Sequence, residues 1–133
     1  MRTLTLALTV VFSLIYTSAN AKNRPPLHKT EQNIVYFTNI ERVKAGLPTL
    51  KVDSALMRSS RSHCYWMSAN STLTHSSGPY AENIACGQRN SREAVHSWMS
   101  SRGHRANILG RFRRIGVSAF RANNRTYWCQ QFK

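Results

Sequence analysis

The chain has 133 residues, room for one domain. Hydrophobic residues make up 41% and charged residues 18%, with only six Gly and four Pro, which excludes disordered, collagen-like and linker-dominated chains. Nineteen Lys and Arg against five Asp and Glu leave a net charge of +14. That charge suits anionic partners such as acidic polysaccharides, lipid head groups or nucleic acid, and says nothing of fold.

Residues 1–21 read as an export signal. Arg2 supplies the positive start, residues 4–16 the apolar stretch, and Ala19-Asn20-Ala21 a small-residue cleavage site. The apolar run is shorter than the roughly 20 residues a bilayer span needs. The expected product begins near Lys22, keeps no transmembrane anchor, and is secreted to an extracellular or periplasmic space. In such an oxidising compartment the three cysteines, Cys64, Cys86 and Cys129, predict one bridge and one leftover thiol, or a bridge between chains. Three pairings are open, and no C-x-x-C is present.

Residues 22–30 contain Pro25 and Pro26 and read as an extended lead-in to a domain over 31–133. From Glu31, the spacing of Ile34, Phe37, Ile40 and Val43 predicts a first helix that leaves Glu31 and Glu41 in water and stops before Gly46 and Pro48. Residues 47–50 connect. Asp53 or Ser54 caps a second helix to about Ala69, with Leu56, Ser59, His63, Trp66 and Met67 on its buried face. Residues 70–79 form a loop and 82–86 a short strand. Asn90 and Glu93 resemble a capping box. They open a third helix with the stripe Ala94, Val95, Trp98 and Met99, stopped by Gly103. A single turn over 105–109 precedes strands at 115–120 and 126–132. Asn123-Asn124 between them tolerate the positive φ of a tight hairpin. Trp66, Trp98 and Trp128 are assigned to the core.

Few residues can carry chemistry. Glu82 lies between a loop and an apolar strand, so its carboxylate is expected to be partly buried and in need of partners. His75 and His104 are loop histidines, near Glu82 and Gly103. His63 reads as a satisfied core or boundary residue, whereas His28 and His96 face water. No H-E-x-x-H or G-x-S-x-G spacing occurs. Arg111, Arg113 and Arg114 read as a solvated run, and no nucleic-acid motif accompanies them, so no specific nucleic acid is expected.

Trp98-Met-Ser-Ser-Arg-Gly-His-Arg-Ala-Asn-Ile-Leu109 resembles the C-terminal signature of the CAP superfamily (cysteine-rich secretory proteins, antigen 5 and pathogenesis-related proteins), closest to its compact bacterial SCP-like members. Asn39-x-x-Arg42 and Gly46-Leu-Pro-x-Leu-x-x-Asp53-x-x-Leu56 resemble the family's opening helix and connector. His75-Ser76 resembles its first histidine. Glu82-Asn83-Ile84-Ala85-x-Gly87 resembles its "GEN" element, with Ala81 in place of the usual Gly. Gly116-Val117 and Tyr127-Trp128-x-Gln130-x-Phe132 resemble its closing hairpin.

The resemblance implies an α+β fold, a three-layer α-β-α sandwich with a central antiparallel sheet. It implies a cleft holding His75, Glu82 and His104, while Ser101 stands where the family has a second acid. Arg105 and Asn107 would fix the loop that presents His104. Cys64 and Cys129 are the favoured disulfide, with Cys86–Cys129 as the alternative. The function this suggests is a monomeric, non-enzymatic module that binds a lipid, another ligand or a metal, with an anionic envelope or matrix partner. The alternative is a metal-assisted peptidase. In it His75 and His104 hold zinc or another divalent cation and Glu82 ligates it or activates water. A third expectation is a buried polar cluster that serves stability alone.

Overall fold

The structure, a computed structural model, describes residues 26–133. The expected export segment, its cleavage site and residues 22–25 of the lead-in lie outside the described residues. The elements in chain order are α1 (Lys29–Lys44), β1 (Lys51–Val52), α2 (Ser54–Ala69), β2 (Ala81–Cys86), α3 (Ser91–Met99), α4 (Arg102–Ile108), β3 (Arg114–Ala122) and β4 (Arg125–Phe132). The strands form one sheet in the order β1-β3-β4-β2. β2, β4 and β3 pair antiparallel, as expected, but β1 runs parallel to β3, so the sheet is mixed. Sequence periodicity misses β1 because two residues cannot show a period of two.

Several local expectations hold at the level of single atoms. Asp53 Oδ1 accepts from Leu56 N–H at 2.9 Å and Asn90 Oδ1 from Glu93 N–H at 2.9 Å, so both helices start on side-chain caps. Asn123 and Asn124 take φ of 51° and 62°, the double left-handed conformation of a tight hairpin. Gly103 does not end α3. That helix stops at Met99, and Gly103 lies inside α4.

The sheet is covered on both sides. Gln130 reaches Thr38 of α1 while its neighbour Cys129 clusters with Cys64 of α2, so alternate β4 residues point into different layers. One core joins Ile34, Met57, Trp98, Ile108, Ile115, Val117, Trp128 and Phe132; a smaller one holds Cys64, Met67, Ile84, Tyr127 and Cys129. β4 is buried on both faces, yet Gln130 and Gln131 are fully buried beside the apolar residues. At Gly116 any Cβ would collide with the Leu56 backbone, so α2 rests directly on β3.

The inward face of α1 departs from the apolar stripe. Its buried residues are Glu31, Ile34, Thr38 and Arg42, whereas Val43 is 60% exposed. Glu31 is not solvated: it takes a two-pronged ion pair from Arg61 at 2.6 and 2.7 Å and also caps His28 N–H. Arg42 is sealed from water and donates to the carbonyls of Pro48, Ile108, Gly110 and Phe112. Asn39 holds Leu50 through both its N–H and its carbonyl. Polar residues face inward here because each has a partner waiting, which hydrophobic periodicity cannot register. Trp66 is the converse case: it is 46% exposed, while Trp98 and Trp128 are core as expected.

Candidate functional site

Glu82 sits second in β2, its side chain buried beneath α2. Four donors converge on its carboxylate. Oε1 accepts from His75 Nδ1 at 2.9 Å and Ser76 N–H at 2.9 Å; Oε2 accepts from Ser76 Oγ at 2.6 Å and Gln131 Nε2 at 2.9 Å. Burial alone would raise its pKa. The bonds from Ser76, Gln131 and His75 outweigh it, and the carboxyl is held below its usual range. Glu82 is therefore an anion at neutral pH.

An ionised carboxylate only accepts, so His75 carries a proton on Nδ1 and turns Nε2 outward. The His75 side chain is 58% exposed. His104 lies close enough to feel its charge. The His104 pKa is lowered, first by burial and then by His75, which favours a neutral imidazole. Asn83 and Asn107 fix the α4 segment. Asn83 Nδ2 donates to His104 O at 3.0 Å, and Asn107 Nδ2 to Glu82 O at 3.2 Å and Asn83 Oδ1 at 2.9 Å. Arg105 is exposed, so the positioning expected of Arg105 and Asn107 together falls to Asn107 and Asn83.

The structure thus bonds His75 to Glu82, brings His104 within electrostatic reach of His75, and adds residues that sequence reasoning passed over. Ser76, Gln131 and Tyr80 complete the carboxylate's surroundings, with Tyr80 Oη bonded to Ser59 and Ser76. His63 Nε2 lies 2.7 Å from Thr74 O and 3.9 Å from Glu82 Oε1, and its ring stacks on Trp66. The short loop separating His75 from Glu82 gave no signal for His63, which arrives from α2.

Among the described residues, no three His, Cys, Asp or Glu side chains are arranged to hold a metal ion. Glu82 spends both oxygens on hydrogen bonds, so the set His75, Glu82 and His104 does not fit a three-ligand zinc centre. Ser101, the N-cap of α4, makes no side-chain cap bond and supplies no carboxylate in place of the absent acid.

The expected Cys64–Cys129 bridge is also not formed: Cys64, Cys86 and Cys129 are free thiols. α2 and β4 do pack together, but Cys64 Sγ is turned to Tyr127 O at 3.0 Å. Burial pushes the Cys64 thiol up to about 12. A separate groove of about 560 Å³ lies between α1 and α3, lined by Tyr36, Phe37, Ile40, Arg92 and His96, away from the histidine cleft.

A mixed sheet between helical layers, with an acid and two imidazoles at one end, defines a CAP-type domain. The family description "CAP: Cysteine-rich secretory protein family" matches residues 35–132, and the chain belongs to that family. It is 36% identical to YkwD of Bacillus subtilis strain 168 over 120 residues, covering 77% of this chain and 46% of that protein. It is 29% identical to the membrane protein YlbC of the same organism, covering 77% of this chain and 34% of the relative. The chain thus spans less than half the length of these curated relatives. An extracellular SCP-domain protein of Bacillus anthracis superposes with a TM-score of 0.70 at 25% identity, over 81% of this chain and 44% of that one. An outer surface protein of Borrelia burgdorferi shares the fold, with a TM-score of 0.69 at 17% identity, over 79% of this chain and 94% of that one.

Proposed function

We propose that the chain is an exported, non-enzymatic binding module whose His75–Glu82–His104 cleft engages a ligand through its two imidazoles. The observation that carries this reading is the saturation of Glu82. A general base must offer a free lone pair to water, and a metal ligand must offer one to the ion. Here four donors occupy the carboxylate. Its role is to hold His75 in one tautomer with Nε2 facing out, while His104, kept neutral by burial and by His75, would supply the second imidazole.

Export is supported by the signal-like segment 1–21 and by the extracellular character of the Bacillus anthracis relative. Among the described residues no helix is long and apolar enough to cross a membrane. The test is twofold. Protein recovered from the culture medium should begin near Lys22, and extraction with mass spectrometry should find a bound small molecule that His75→Ala and His104→Ala both lose. Peptide cleavage that disappears in both His75→Ala and Glu82→Gln would establish the hydrolase instead.

A further inference from the structure

We propose that one end of the sheet is a binding surface for a linear polyanion, a phosphate- or sulfate-bearing polymer, centred on Lys51, Arg114 and Lys133. Lys51 is the register partner of Arg114 across β1 and β3. Arg114 and Lys133 exchange both backbone bonds, Arg114 N–H to Lys133 O at 2.8 Å and Lys133 N–H to Arg114 O at 3.1 Å. Residues directly opposite in a sheet project to the same face, and neighbouring strands lie ~4.8 Å apart. The three cations therefore stand in a row across three adjacent strand positions. All three are exposed, and among the described residues none has a side-chain hydrogen bond or ion pair.

The surroundings reinforce the charge. Exposed Arg113 is tied to the same carbonyl, Lys133 O, at 2.8 Å, and exposed Arg111 precedes it. Arg42 lies buried behind Phe112 with carbonyls alone as partners. No acidic side chain among the described residues compensates. Asp53, two residues beyond Lys51, is turned to Leu56 N–H, and Glu82, two residues further along the sheet from the row, is hydrogen-bonded internally. Glu31, Glu41 and Glu93 are paired with Arg61, Lys44 and Arg89.

Like charges placed directly opposite one another destabilise a sheet. A row of three therefore works against folding until an anion neutralises it, and a line of charges suits a chain of anionic groups better than one small ion. A bilayer surface fits less well. The exposed large hydrophobics, Tyr36, Val43, Tyr65, Trp66, Leu73 and Phe120, all lie outside β1, the start of β3 and the end of β4. This surface does not depend on the reading of the histidine cleft.

The experiment measures binding of long-chain inorganic polyphosphate to the full exported chain as salt is varied. It compares Lys51→Gln/Arg114→Gln/Lys133→Gln with an equal-charge control, Arg102→Gln/Arg121→Gln/Arg125→Gln, whose sites are exposed elsewhere. The row variant should make the slope of log affinity against log salt shallower by about two, at ~0.7 counterions per neutralised phosphate of a single-stranded polyanion. The control should change it less, and thermal melting should show the row variant folded and no less stable. Equal losses in both variants would overturn the proposal, because net charge alone would then govern binding. So would an unchanged row variant, or a row variant that loses binding to phosphatidylglycerol vesicles while keeping polyphosphate.

Discussion

Arg42 and Glu82 are two charges enclosed by this fold, and they are satisfied in opposite ways. Arg42 meets four backbone carbonyls, from the connector after α1 and from the segment joining α4 to β3. Every partner is a backbone carbonyl and none is a side chain; it is a clamp. Burial, and then the charge of Arg113, lower its pKa, and the carbonyls replace water as its solvation shell. Glu82 meets mainly side chains, and one of them, His75, continues outward to water. A buried charge bound only to backbone fixes segments. A buried charge bound to a half-free imidazole passes its orienting effect to the surface.

That contrast can be broken by substitution. The largest expected effect is Arg42→Met, which orphans several buried carbonyls at once and should cost about 3–5 kcal/mol in urea unfolding. Arg42→Lys should recover little, since an ammonium cannot span the same fork of acceptors. Glu82→Gln should cost less, about 1.5–3 kcal/mol, through lost charge-assisted bonds. The folded-state pKa of Glu82 is depressed, so its stabilisation is present above the unfolded carboxyl range near ~4.3 and is lost as pH falls through the lower folded value. Urea midpoints measured from about pH 7 down to about pH 2 should therefore fall less steeply in Glu82→Gln. The smallest effect on stability belongs to His75→Ala, about 1 kcal/mol or less for an exposed partner. A larger loss would show that His75 is part of the clamp, contrary to its outward role.

Much of the fold was legible because local chemistry and burial agreed. Asp53, Asn90 and the Asn123-Asn124 turn each announce their role by residue type and position, and Trp98 and Trp128 sit in apolar patterns. What stayed hidden was decided by distant partners. Glu31 looks like a solvated helix residue until Arg61 of the next helix covers it. Trp66 looks like core, but the α2 face that meets the sheet is the one bearing Met57, Ser60 and Cys64. In the cleft, the resemblance indicated His75, Glu82 and His104. It could not show that Ser76 and Gln131 fill the carboxylate, because hydrogen-bond occupancy is a property of the folded arrangement and not of spacing.

Gly116 lies opposite Gln131, which lies opposite Glu82, and α2 touches the sheet along that line at Leu56. The absence of a single methyl group there sets the height of the roof over the carboxylate. Raise the helix by the thickness of an alanine, and water gains a route to the acid that the rest of the cleft is arranged to keep dry.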